Sequence, residues 1–181
     1  MKEIKKAIVD QLEQLHYYSS FNGTSNKPSI DLAEKLVFDD SPRRHGPRVL
    51  HGYTYSGHPL ACAAAIANLD IVIREDLPAH AAERGASFLQ KLAPFVDRYG
   101  AVGDVRGKGL MLVIELVKDK ATKEPMPADF GQRIGTATRA AGAMVRPAGH
   151  KIILSPPLII DEDEIDIVVK ALEQAFYTTD I

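Results

Sequence analysis

Gly52, Tyr53, Thr54, Tyr55, Ser56, Gly57, His58 and Pro59 occupy consecutive positions and lead into the alanine-rich run from Leu60 to Ala65. A loop this dense in hydroxyls and glycines can cradle an anion. Glycine lets the backbone approach a ligand closely, and the first-turn N–H groups of the following helix are unpaired donors at the positive end of its dipole. Pro59 suits the first helical position, where its missing N–H has no helical partner to lose. The same residues also suit a plain structural turn before a helix, and residue types alone leave both readings open.

A second chemistry-bearing position is Arg146, in the run MVRPAGHKIILSPPLII from Met144 to Ile160. A guanidinium pairs two carboxylate oxygens with its planar fork and keeps its charge at working pH. A solvated arginine at a strand end is the alternative. Cys62, the one cysteine, cannot form an internal disulfide and sits inside the ACAAA helix, where a buried inert thiol is expected.

The elements that position these residues follow from periodicity. Ile4, Ile8, Leu12 and Leu15 predict a helix from about Lys2 to Leu15. A polar aromatic loop follows, then a short helix from about Pro28 to Leu36. Phe38 to Pro47 reads as exposed loop. From Pro59 to about Arg74 the helix is apolar nearly all round and is expected to be the central packing helix. The next helix spans about Pro78 to Leu92, with Pro94 bending or ending it.

After Gly100 strands are expected at Val102 to Val105 and at Leu110 to Val117, the second with both faces largely covered. A helix from about Ala128 to Ala141 ends at Gly142, which suits a left-handed position beyond the C-cap. Strands at Ala143 to Arg146 and Lys151 to Leu154 are joined by PAGH, and SPPL stops the pair. Asp161 with Glu164 reads as a capping box for the last helix, and Ile160 with Ile165 as its hydrophobic staple. The fold class predicted is α/β: a two-layer sandwich with a small mixed or antiparallel sheet, plus N-terminal helices. The expected organisation is an N-terminal helical segment at 1–37, a loop and junction at 38–58, and a C-terminal small α/β domain at 59–181.

Length of 181 residues fits one domain or one and a half. A net charge of −2 argues against nucleic acid or an anionic membrane as the main partner. No apolar run approaches the roughly 18 residues of a membrane span, and MKEIKK lacks a signal peptide's apolar core. A reducing cytoplasm is the expected compartment. No metal-ligand spacing is present.

HGYTYSGHPLACAAA closely resembles the segment that opens the C-terminal domain of class III pyridoxal-phosphate aminotransferases, the omega-aminotransferase group. The resemblance implies that Thr54 binds the cofactor phosphate, reaching across a dimer interface. GDVRGKGLMLVIELV, from Gly103 to Val117, looks like the family's small-domain strands, with Arg106 an ordinary surface or interface charge. The run around Arg146 resembles the segment whose mobile arginine binds the carboxylate of an amino-acid or keto-acid substrate. Ile8 to Leu36 resembles the early helix and the aromatic loop of the substrate pocket, making Tyr17, Tyr18 and Phe21 candidates. Packing between helices is their other role. The matching fold is the small domain of fold-type I enzymes.

The family's large domain, longer than this whole chain, stands between those two segments, whereas here Leu36 runs straight into Val37 and Phe38. That domain carries the Schiff-base lysine, the ring-stacking aromatic and the aspartate that holds the pyridine nitrogen. None of the twelve lysines stands in the family's lysine context, so no catalytic residue is assigned. Three readings follow: an aminotransferase derivative inactive by itself; a chain whose large domain is supplied elsewhere, transferring an amino group from an amine or ω-amino acid to a keto acid such as pyruvate; or a non-catalytic interaction module using the former inter-domain or dimer surface. An apolar surface stripped of its large domain predicts a homodimer or larger assembly.

Overall fold

The computed structural model describes residues 2–14, 27–37 and 57–179, so Thr54, Tyr17, Tyr18 and Phe21 lie outside the described residues. The chain divides into two compact units, Met1–Glu75 and Asp76–Ile181.

In the first unit, α1 (Lys2–Gln14) and α2 (Lys27–Val37) both pack on α3 (Pro59–Arg74). The inward stripe of α1 is Ile4, Ala7, Ile8 and Gln11, while Leu12, expected inside, is exposed. Gln11 is buried and has a polar partner, as a buried amide requires. Helix α3 is central to this unit, yet only Pro59 and Cys62 on it are buried. Burial pushes the Cys62 thiol up from its ordinary range, which leaves it protonated and inert. Lys35 pairs with Asp70, and Arg74 holds Glu3 with two hydrogen bonds of 3.0 and 3.1 Å. These pairs are solvated and orient the helices more than they stabilise them.

The second unit begins with α4 (Leu77–Leu92) and, past the bend at Ala93 and Pro94, the short α5 (Phe95–Arg98). Strands β1 (Val102–Lys108), β2 (Met111–Asp119) and β3 (Glu124–Pro125) precede α6 (Ala128–Ala140), and β4 (Arg146–Ala148), β5 (Lys151–Leu154) and α7 (Glu162–Thr179) complete it. The sheet order is β1-β2-β5-β4, antiparallel throughout, with β3 on the far end of β2. This is the α/β sandwich expected. Strand β1 runs three residues past its expected end, because Gly107 and Lys108 pair with Leu112 and Met111 across the turn at Gly109 and Leu110.

Alternation along β2 sends Leu112, Ile114 and Leu116 into the core. There they meet Phe88 and Leu92 of α4, Phe95 of α5, Phe130 and Ile134 of α6, and Ile165, Leu172 and Phe176 of α7. Each such buried side chain contributes about 1.5–3 kcal/mol. The opposite sheet face corrects the expectation of two covered faces. Met111 there is exposed, while Val113 and Glu115 are half-buried. Antiparallel sheets tolerate this because alternate residues can face water.

Candidate functional site

Arg146 is positioned by the end of α6. Gly142, at φ +102°, follows the last turn; its N–H bonds to Arg139 O at 3.1 Å, and the N–H of Ala143 reaches Thr138 O at 3.1 Å. These two bonds form a Schellman motif, which satisfies the last helical carbonyls and turns the chain out toward the sheet. The strand expected at 143–146 therefore starts only at Arg146, since Ala143 is still tied to the helix end. Arg146 pairs in register with Ile153 of β5, which in turn faces Val113 of β2.

A groove of about 880 Å³ opens beside Arg146, lined by residues of β4, β5 and the first turns of α7. Its walls include Phe88, Val145, Leu154, Ile160 and Val168, and its rim carries Met144, Ile159, Asp161 and Glu164. The rim is held firmly. His80 Nδ1–H donates to Leu158 O at 2.8 Å, fixing the segment after SPP. Glu164 N–H donates to Asp161 Oδ1 at 2.8 Å, and Asp161 N–H to Glu164 Oε2 at 3.1 Å, the capping box in full. Next to Asp161, Glu162 accepts from Arg84 Nη1 at 2.9 Å and Ser87 Oγ at 2.5 Å, and pairs with Lys91 Nζ at 2.8 Å. With Lys91 the leading donor, its carboxyl titrates at about 2. Lys91 also pairs with Asp166, chiefly for which reason its own pKa is raised.

Arg146 itself is exposed and has no hydrogen-bond or ion-pair partner among the described residues. Every other described arginine is engaged, by a hydrogen bond, an ion pair or, for Arg133, an aromatic ring. Arg74, Arg84 and Arg98 bind Glu3, Glu162 and Glu173; Arg106 bridges Asp104 at 2.6 Å and Glu115 at 2.7 Å. Arg133 lies 5.1 Å over the Phe130 ring, and Arg139 points at Met144 Sδ. Arg106 is thus the ordinary surface charge expected, and it draws the Glu115 carboxyl below its usual range. The sequence reading took Asp161 and Glu164 only as caps. Their place in the lining of the same groove as Arg146 depends on how the tertiary fold arranges β4 and α7, which no local pattern encodes.

The described part of the possible anion loop is Gly57, at φ +73°, with His58 at the N-cap of α3 and making no side-chain cap bond. The only buried polar residues among those described are Gln11 and Thr138. Thr138 satisfies itself on Ile134 O at 2.7 Å. No described lysine or aspartate is buried. Lys6, Lys27, Lys35, Lys91 and Lys118 face carboxylates, and for Lys91 the hydrogen bonds to Asp166 and Glu162 raise the pKa, favouring the protonated amine. A nucleophilic lysine needs the reverse: burial or a cationic neighbour. The described residues therefore do not fit a complete pyridoxal-phosphate site, and among them no cluster suits a metal ion.

Residues 39–176 match the family model described as aminotransferase class-III. An uncharacterized aminotransferase of Sinorhizobium fredii is 42% identical over 150 residues, covering 80% of this chain and 32% of that protein. The adenosylmethionine-8-amino-7-oxononanoate aminotransferase of Geobacter sulfurreducens is 38% identical over 153 residues, covering 81% and 33%. Among solved structures, a PLP-bound amine transaminase from an uncultivated Pseudomonas species superposes with a TM-score of 0.70 at 54% identity, over 73% of this chain and 30% of that one. An (S)-enantioselective omega-transaminase from Thermomicrobium roseum gives 0.66 at 42%, over 82% and 32%. The chain spans about a third of the length of these relatives.

Proposed function

This chain belongs to the class-III aminotransferase family, and we propose that it provides that family's small-domain half-site, binding a substrate carboxylate through Arg146. The family and its PLP-bound relative imply pyridoxal phosphate as cofactor. The reaction served is transfer of an amino group from an amine or ω-amino acid to a keto acid such as pyruvate. The observation that carries this reading is the free guanidinium of Arg146 at the mouth of an apolar groove, where every other described arginine is engaged. A carboxylate arriving there gains two charge-assisted hydrogen bonds without displacing an existing partner.

Thr54 is the residue proposed to hold the cofactor phosphate, and Tyr17, Tyr18 and Phe21 are proposed to line the pocket. The chain by itself is proposed to be inactive, because a Schiff-base lysine and a pyridinium partner would have to come from a large domain. Exposed Met144 and Ile159 support the companion reading of an interaction module that forms a homodimer. No described helix is long and apolar enough to cross a membrane. An unpaired, buried Cys62 is consistent with a cytoplasmic setting.

The test is turnover. The chain alone, given PLP, an ω-amino acid and pyruvate, is expected to form no alanine above a protein-free control. Joined to a class-III large domain it should form alanine. Arg146→Gln in that assembly should then lower kcat/KM for acidic substrates by roughly 10–100-fold, the worth of a charged hydrogen bond, and leave an uncharged amine unaffected. Equal losses on both substrates would refute the assignment.

A further inference from the structure

We propose that Gly135 of α6 is a positioning residue for Arg146: its bare backbone seats the Pro147 ring, and that seat decides where the guanidinium stands. The proposal rests on the reading of Arg146 as a carboxylate binder and adds the element that holds it in place.

The strand that carries Arg146 is short and peripheral. Strand β4 spans three residues at the edge of the sheet and pairs with β5 alone. A ladder that short leaves the tilt and height of the strand to whatever packs against it. The packing partner is α6. A methyl group built on Gly135 would collide with Cγ of Pro147, and one on Gly131, a turn earlier, with the carbonyl oxygen of Gly149 just past the strand. Two points of bare helix backbone therefore lie against β4 and its turn, which fixes the line of the strand as well as its distance.

Alternation carries that contact to Arg146. Successive strand side chains point to opposite faces, so the ring that meets α6 sends Arg146 to the other face. Register agrees. Pro147 pairs with buried Ile152, whereas Arg146 pairs with Ile153 and Ile153 with Val113, both half-buried on the open face. The Pro147 ring is closed onto its own backbone and cannot turn aside, so displacing the ring displaces the strand and the residue before it. No described side chain holds the guanidinium, which leaves its backbone to place it. The Schellman bonds at Gly142 and Ala143 set where the chain leaves α6, and Gly135 sets where it arrives.

NMR titration of the full chain without cofactor tests this, with 4-phenylbutyrate as the probe and 4-phenylbutyramide as its control. The acid offers Arg146 a carboxylate and the groove an apolar tail; the amide offers the tail without the charge. Gly135→Ala should weaken acid binding about fivefold or more, a size expected of coupled neighbours, and leave amide binding unchanged. Pro147→Ala should weaken it too, by emptying the seat, and it tests the same contact should Gly135→Ala not fold. Joined in one chain, the two should restore acid binding, because the new methyl would then face only Cβ of residue 147, at an ordinary 3.7 Å. Unchanged acid binding in Gly135→Ala would overturn the proposal. Equal losses on acid and amide, or a double variant no better than Gly135→Ala, would reduce the contact to ordinary packing and overturn it as well. Arg146→Gln separates the two readings. If it loses acid binding while Gly135→Ala does not, only the positioning role fails; if it keeps acid binding, the carboxylate site fails and the positioning role with it.

Discussion

Gly135 of α6 and Pro147 of β4 are in such close contact that a methyl group on Gly135 would lie 2.3 Å from Pro147 Cγ. The bare glycine lets the helix approach the short strand that presents Arg146. Pro147 cannot yield by rotating a side chain, because its ring is fixed to the backbone.

Gly135→Ala should therefore push β4 away from α6 and cost about 1–3 kcal/mol, as overpacking does. Thermal unfolding measures the loss, and hydrogen exchange at Ala148 should locate it. Gly100→Ala is the control, since nothing lies within 4 Å of a Cβ there, and it should be nearly silent.

Glu162 gives the α4–α7 contact an acid limit. Its carboxyl titrates at about 2 in the fold against an ordinary value of 4.5, so the native state favours the ionised form. That contribution is complete above about pH 4.5 and fades as pH falls toward 2. Glu162→Gln should flatten the acid limb of a stability–pH profile, and added salt should shrink the difference because the group is solvated. A wild-type profile with the same acid limb as Glu162→Gln would contradict the assignment.

Asp161→Ala removes the acceptor for Glu164 N–H and should destabilise the chain by about 0.5–2 kcal/mol, the usual cost of a lost N-cap. Asp161→Asn, which keeps an acceptor oxygen, should recover most of it. Chemical denaturation of the two variants side by side checks the ordering.

Phe95 is fully buried and meets Tyr99 and Phe176 edge-on, with ring centroids at 5.2 and 5.8 Å. Phe95→Ala should cost about 3–5 kcal/mol, the range for aromatic truncation in a core. Phe95→Leu should cost distinctly less. Urea midpoints at constant m-value measure both.

The parts of this fold written in local pattern were legible. The capping box at Asp161 and Glu164 and the left-handed Gly142 each depend on residues within a few positions of one another. The open face of β2 was less legible: Val113 and Val117 are chemically alike, yet Val113 faces outward, half-buried, while Val117 lies against Gly103. Arg146 was found through its resemblance to a family segment, since a lone arginine at a strand end has no signature of its own. The groove beside it was invisible, because Phe88, Ile153 and Val168 converge from three elements far apart in sequence. The helical pattern of α1 misled at Leu12, where Gln11 turns inward instead. Nothing in a hydropathy stripe announces a buried amide.

The central claim is that this chain holds a carboxylate-binding half-site without the lysine that would complete it. Incubation with pyridoxal phosphate, borohydride reduction and mass mapping of the product test that most directly. The account predicts no lysine labelled stoichiometrically, with only sparse modification scattered over exposed positions such as Lys2 and Lys170. One lysine fixed at a single equivalent, together with alanine formed from pyruvate by the same preparation, would contradict it.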